Sequence, residues 1–134
     1  MKKVRVSTRR REELVDVTKL VDDAVRNSSV DSGLCVLYCP HTTAAVTINE
    51  GADPSVAQDI VMGLGRLIPR DWGFAHMEGN SDAHIKASLI GPSETVIIEG
   101  GRLVLGTWQR VFFCEFDGPR ERSLYVSVQG RKDS

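Results

Sequence analysis

The chain has 134 residues, 41% of them hydrophobic and 26% charged, with a formal net charge of -1. That length fits a single domain, residues 1–134, whose core can stand without disulfides or a structural metal. A near-neutral balance gives no electrostatic reason to expect a nucleic-acid partner, and the longest apolar run, Leu34 to Cys39, is too short to cross a bilayer.

Lys2 to Thr8 alternates, with Val4 and Val6 on one face, and reads as a first strand. Its basic start is not followed by an apolar signal region, so a cytoplasmic protein with no membrane partner is expected. Arg9 to Glu13 is a charged turn, from which Leu14 to Val17 returns as a hairpin partner. Thr18 can cap a short helix whose apolar stripe is Leu20, Val21, Ala24 and Val25, with Asn27-Ser28-Ser29 ending it.

Gly33 to Cys39 is continuously apolar and reads as a strand buried on both faces, stopped by Pro40. A second strand runs Ala44 to Ile48 and ends in Asn49-Glu50-Gly51. Asp53-Pro54 then sets an N-cap and a proline at the first helical position. Val56, Ile60, Leu64, Leu67 and Ile68 supply the buried stripe of that helix, and Pro69 closes it. Gly63 and Gly65 weaken it and suggest close packing or an early end. Arg70 to Ala75 is a loop with aromatic anchors, Trp72 and Phe74.

Ser81 or Asp82 can cap a short helix through Ile85 and Leu89, stopped by Gly91-Pro92. Glu94 to Glu99 and Arg102 to Gly106 flank Gly100-Gly101 as a hairpin. Trp108 to Phe116 is a long strand, Asp117-Gly118-Pro119 a turn, and Ser123 to Gln129 the last strand. The pattern predicts one α+β domain, a mostly antiparallel mixed sheet with two or three helices over part of it. Cys35, Cys39 and Cys114 lie in apolar runs and read as small buried hydrophobes.

The chemistry-bearing residues concentrate in a few places. Of the 3 histidines, His76 and His84 bracket the stretch His76-Met77-Glu78-Gly79-Asn80-Ser81-Asp82-Ala83-His84, and His41 opens His41-Thr42-Thr43 after an apolar strand. Three imidazoles and a water make a catalytic zinc site if they converge; unrelated polar histidines are the other reading. Glu115 interrupts Val111 to Phe116, so it is either a base, a metal ligand or the partner of a histidine, or a solvent-facing carboxylate. Asn49 and Glu50 end a strand, Asn80 sits in a turn, and Trp108-Gln109 is either a stacking face with an amide or a core tryptophan beside an exposed neighbour. Arg66, Arg70, Arg102 and Arg110 and the Thr42 and Thr43 hydroxyls are available to a phosphate, but no phosphate loop, dinucleotide fingerprint or serine-hydrolase elbow is present.

His41 to Glu50, His76 to His84 and Gly101-Arg102-Leu103-Val104-Leu105-Gly106-Thr107-Trp108-Gln109 together resemble the YjbQ-like family of small proteins, also called secondary thiamine-phosphate synthases. The resemblance spans nearly the whole chain in matching order. It implies the YjbQ-like fold, a homotrimer, and a polar site made of His41, Asn49, Glu50, His76, Asn80, His84 and Gln109. It also implies a weak activity joining a pyrimidine diphosphate to a thiazole phosphate with loss of pyrophosphate. Such a reaction needs cationic help for the departing diphosphate. The expectation is therefore an enzyme with a divalent metal, zinc or magnesium, on His41, His76 and His84. Glu50 or Glu115 handles a proton, and Asn49, Asn80 and Gln109 position a small phosphorylated molecule. The alternative is a non-catalytic trimeric module that binds a metabolite or an anion.

Overall fold

The structure, a computed structural model, describes residues 1–133. Eight strands and three helices follow the chain: β1 (Lys2–Ser7), β2 (Glu13–Asp16), α1 (Thr18–Ser28), β3 (Ser32–Tyr38), β4 (Ala44–Glu50), α2 (Pro54–Leu67), α3 (Ser81–Ile90), β5 (Ser93–Glu99), β6 (Arg102–Leu103), β7 (Gln109–Glu115) and β8 (Glu121–Arg131). Five strands form one sheet in the order β1-β8-β3-β5-β6, and three form another, β2-β7-β4. Every ladder is antiparallel. This is the α+β class expected from the pattern. No helix among the described residues is long and apolar enough to cross a membrane.

The main core lies between the two sheets. Val4, Val6, Cys35, Leu37, Val96, Ile98, Leu124 and Val126 from the larger sheet meet Ala44, Val46, Val111 and Phe113 from the smaller, with Val21 and Val25 of α1 closing one end. Each large apolar side chain withdrawn here contributes about 1.5–3 kcal/mol against the entropy of ordering it. On its other face the small sheet meets α3: Ala45, Cys114 and Phe116 pack on Ala83 and Ala87. All three cysteines are free and buried.

Several local expectations change in the tertiary setting. Leu14 to Val17 does not return against β1; β2 pairs with β7, Leu14 opposite Cys114, because β1 takes β8 as its neighbour. Thr18 does not cap α1 with its side chain; its Oγ1 accepts from the Val111 N–H (2.8 Å) and ties the helix to β7. Leu20 lies off the buried stripe, 43% exposed. Strand β3 is buried on one face only: Cys35 and Leu37 point into the core, while Leu34 and Tyr38 are 44% and 49% exposed.

Helix α2 starts as expected, with Asp53 accepting from the Ser55 N–H at 2.9 Å and Pro54 inside the first turn. Its apolar stripe, however, leaves no residue of the helix buried, and Leu67 is 63% exposed. Gly63 and Gly65 have open space where a side chain would stand, so no close packing explains them. Trp72 anchors nothing; it is 67% exposed with Phe74 edge-on to it. Helix α3 is capped by the Asn80 position, with no side-chain hydrogen bond there, and buries Asp82, Ala83, Lys86 and Ala87 rather than Ile85 and Leu89.

Two glycine positions are required by the architecture. Gly100 and Gly101 both have positive φ (59° and 74°), as a two-residue turn between Glu99 and Arg102 demands. At Gly33 a Cβ would fall 1.9 Å from the Gln129 carbonyl oxygen, so the β3–β8 ladder closes only without a side chain there.

Candidate functional site

Pairing of β4 with β7 sets the geography of the site. The ladder runs from Ala44 opposite Glu115 to Glu50 opposite Gln109. At about 3.3 Å per residue its ends lie roughly 20 Å apart. His41, His76, His84, Asn80 and Glu115 belong to the first end; Asn49, Glu50 and Gln109 belong to the second. The eight expected site residues thus fall into two groups in one chain, not one.

At the first end, His41 follows β3 and the stop at Pro40, while His84 projects from the first turn of α3. Both line a groove of about 270 Å³ with Thr42, Ser88, Ala44 and Ala87. His76, in the loop before α3, stands edge-to-face against His84 with ring centroids 5.6 Å apart. His76 Nε2 is 3.8 Å from Glu78. All 3 histidines of the chain are therefore at this end.

His41 has a defined protonation. The Ser123 backbone N–H donates to its Nε2 at 2.9 Å. A ring nitrogen that accepts carries no proton, so the neutral ring holds its proton on Nδ1. Burial, then the charge of nearby Arg122, lowers the His41 pKa from its ordinary value and keeps the ring neutral. Phe113 packs edge-on beneath it at 6.3 Å.

Behind the groove lies a buried ionic cluster. Glu115 is fully buried, which removes the solvent-facing reading. Arg122, 4% exposed, donates to it through Nε (2.9 Å) and through Nη2. Thr8 Oγ1 (2.8 Å) and the Asp117 N–H (3.1 Å) complete its partners. The Asp117-Gly118-Pro119 turn folds directly over it; a Cβ on Gly118 would come within 2.8 Å of Glu115 Cγ. Burial alone would raise this carboxyl, but the hydrogen bonds from Arg122 and Thr8 outweigh it and the pKa is lowered. Glu115 is thus a locked carboxylate, not a poised base. Arg122 Nη2 also donates to Thr43 Oγ1 (2.8 Å) and to the Thr43 carbonyl (3.3 Å). Asn80 Nδ2 donates to Asp117 (2.8 Å), and its own Oδ1 is buried with no protein donor.

Helix α3 is held to the chain by charge as well as by alanines. Asp82, fully buried, accepts from Arg11 at 3.1 and 3.3 Å, and Lys86, 1% exposed, donates to Asp82 (3.1 Å) and to Glu12. This cluster positions His84, which lies between its two α3 members. Arg122, Asp82 and Lys86 escaped the sequence reading, although a signal was present. Period two puts Arg122 on the face of Leu124 and Val126, and Asp82 and Lys86 are an i, i+4 pair flanking Ala83 and Ala87.

At the second end, Asn49 accepts from the Glu50 N–H (2.7 Å), and Gln109 Oε1 accepts from the Gly106 N–H (2.8 Å), so both amides shape their own loops. Glu50 lines a wider cleft of about 400 Å³ under α2, with Glu12, Glu13, Asp16 and Asp53 on its walls. Trp108 is 63% exposed and so is not a core tryptophan.

Among the described residues no three His, Cys, Asp or Glu side chains form a metal-ligand set. A divalent ion would find adjacent imidazoles, a donor type that suits zinc and its neighbours, at His76 and His84. It does not fit His41 in this geometry, because a metal on Nδ1 requires a proton on Nε2, where the Ser123 N–H already points.

The family profile described as "UPF0047 protein YjbQ-like" matches residues 2–131. The chain is 56% identical to UPF0047 protein MJ1081 of Methanocaldococcus jannaschii over 130 residues, covering 97% of this chain and 94% of that one. It is 45% identical to UPF0047 protein YugU of Bacillus subtilis over 131 residues, covering 97% and 99%. A crystal structure of an uncharacterized yjbq/upf0047 protein from Clostridium acetobutylicum superposes with a TM-score of 0.95 at 48% identity, over 96% of this chain and 100% of that one. A YbjQ-like protein of unknown function from Sulfolobus solfataricus gives 0.93 at 34%, over 97% and 96%. With the profile matched over residues 2–131 and relatives 45–56% identical over nearly the whole chain, the chain belongs to the UPF0047 YjbQ-like family.

Proposed function

We propose that the protein is an enzyme acting on small phosphorylated metabolites in the groove between His41 and His84. The observation that carries this reading is that the 3 histidines, from two distant segments, come to one end of the fold: His41 and His84 line the groove with Thr42 and Ser88, and His76 packs against His84. His76 and His84 would hold a divalent ion, zinc rather than magnesium by the preference of imidazole ligands. When bound, that ion polarises phosphate oxygens and stabilises a departing diphosphate. His41 donates a hydrogen bond to the substrate, Asn80 fixes the Asp117 turn, and α3 keeps His84 facing the groove. The reaction class is transfer with loss of pyrophosphate, a thiamine-phosphate-synthase-like joining of a pyrimidine diphosphate and a thiazole phosphate.

The working unit is a homotrimer. Support comes from the outer face of the larger sheet, where exposed Leu34 pairs with exposed Ile97 and exposed Tyr38 pairs with Tyr125. Exposed apolar and aromatic side chains of this kind suit an interface with further copies of the chain. Light scattering of the full chain tests it: a trimer is expected, and a monomer at micromolar concentration refutes it.

A second reading, a non-catalytic trimer that binds a metabolite or anion, is favoured by the locking of Glu115, which cannot serve as a base while Arg122 holds it. One experiment separates the two. Elemental analysis of the purified protein is expected to find close to one divalent ion per chain, lost in His84→Ala with the melting temperature nearly unchanged. Turnover of diphosphate substrates then supports the enzyme. Ligand-dependent thermal shifts without turnover support the binding module. No metal after incubation with zinc sinks the ligand assignment.

A further inference from the structure

We infer that His41 is a fixed Nδ1–H donor for an anionic oxygen of the ligand, and that Arg122 and Thr43 are the positioning residues that hold it so. The assignment of a ligand to this groove rests on the function proposed above; the protonation of His41 does not.

The geometry is a clamp made by one strand on one loop. Two consecutive residues of β8 grip the loop His41-Thr42-Thr43 at both ends. The Ser123 N–H takes His41 Nε2 at 2.9 Å, and Arg122 takes the Thr43 hydroxyl at 2.8 Å and its carbonyl at 3.3 Å. Neither grip can slide, because Arg122 is itself fixed by two hydrogen bonds to fully buried Glu115. A backbone N–H is a donor at every pH, so it selects the tautomer with an empty Nε2 and a protonated Nδ1. Nδ1 has no hydrogen-bond partner among the described residues and is not one of the buried unsatisfied atoms, so it is open to a ligand.

The chemistry of the surroundings names the class of that ligand. His41 and Thr42 line the groove with an N–H and a hydroxyl, whereas the Ser88 hydroxyl donates to the His84 carbonyl (2.9 Å) and Arg122 and Arg120 are paired with Glu115 and Asp117. Glu115 faces His41 too, but its charge is spent on Arg122. A ring N–H held in place beside the Thr42 hydroxyl suits an oxygen acceptor, and an anionic phosphate oxygen is the strongest of these. His41 therefore reads the phosphate while His76 and His84 remain free for another partner.

The test is long-range ¹H–¹⁵N correlation on histidine-labelled full-length protein at neutral pH, with inorganic phosphate and with zinc as separate probes. His41 is expected with a protonated Nδ1 and an unprotonated Nε2, and phosphate shifts the Nδ1–H signal. Zinc moves the His76 and His84 signals and leaves the His41 proton in place. Thr43→Val, which removes only the hydroxyl from the clamp, weakens phosphate binding about tenfold and mixes the His41 tautomers, whereas Thr43→Ser retains both properties. A protonated Nε2 overturns the proposal, as does zinc replacing the His41 proton or a Thr43→Val protein that binds phosphate like wild type. A failure of metal binding and turnover sinks the enzymatic reading but leaves the tautomer and the phosphate shift as they are.

Discussion

Arg122→Met is the most informative stability variant, because the structure fixes what it leaves behind. Glu115 keeps the Thr8 hydroxyl and the Asp117 N–H but loses both charge-assisted donors, in a place with no solvent access. Removing one partner of a buried pair costs about 3–5 kcal/mol. The orphaned Thr43 acceptors add about 1 kcal/mol or more. Against a total of about 5–15 kcal/mol for a domain, this is a severe loss. Its pH dependence has a definite sign. In the native protein the Glu115 pKa is lowered, so its contribution is full above the unfolded pKa, about 4.3, and fades as pH falls through the folded value. In the variant, burial is opposed only by the Thr8 hydroxyl and the Asp117 N–H, and without Arg122 that pKa rises. Acid then protonates Glu115 and relieves the stranded charge, so the deficit against wild type shrinks from pH 7 to pH 4.5. Urea unfolding at the two pH values, at one fixed protein concentration, reads this directly. The double variant with Glu115→Leu recovers much of the loss. A deficit below about 1 kcal/mol at pH 7, or one that does not change with pH, refutes the reasoning.

Lys86→Met tests the second buried cluster: Asp82 retains Arg11, so the urea midpoint falls by less than in Arg122→Met, about 1–3 kcal/mol in stability. Gly33→Ala forces a Cβ to within 1.9 Å of the Gln129 carbonyl and lowers the melting temperature or yield sharply, whereas Gly63→Ala, with open space around it, stabilises α2 by about 0.5–1 kcal/mol. The thiols resist a disulfide reagent at pH 8 until the chain is denatured, because burial pushes Cys114 up to about 12 and Cys35 up to about 11; fast labelling of the native protein contradicts the core placement.

The elements were legible where local pattern and global demand agree. The Gly100-Gly101 hairpin, the Asp53-Pro54 helix start and the alternation of β1 all appear where the residues put them. Pairing was not legible. Leu14 to Val17 has the residues of a hairpin partner, yet β1 joins β8, from the far end of the chain, and alternation carries no address for such a partner. Helix α3 misled for a different reason. Ile85 and Leu89 look like its buried stripe, but the ion pairs of Asp82 and Lys86 with the turn before β2 turn the charged face inward.

For the site the division is sharper. Residue chemistry alone singled out His41, His76, His84, Asn80 and Glu115, and the fold brings these to one end of the β4–β7 ladder. It carries Asn49, Glu50 and Gln109 to the other end, because an antiparallel ladder sets Glu50 against Gln109 and so moves both away from Ala44 and Glu115 together. The sequence by itself determined which side chains can ligate, donate or hold charge. Only the tertiary structure decided which are free to do so. Glu115 is spent on Arg122, seven residues on across the Asp117-Gly118-Pro119 turn, and His41 has its Nε2 occupied because β8 lies beside β3 and delivers Ser123, like Arg122 to Thr43, to residues some eighty positions earlier in the chain.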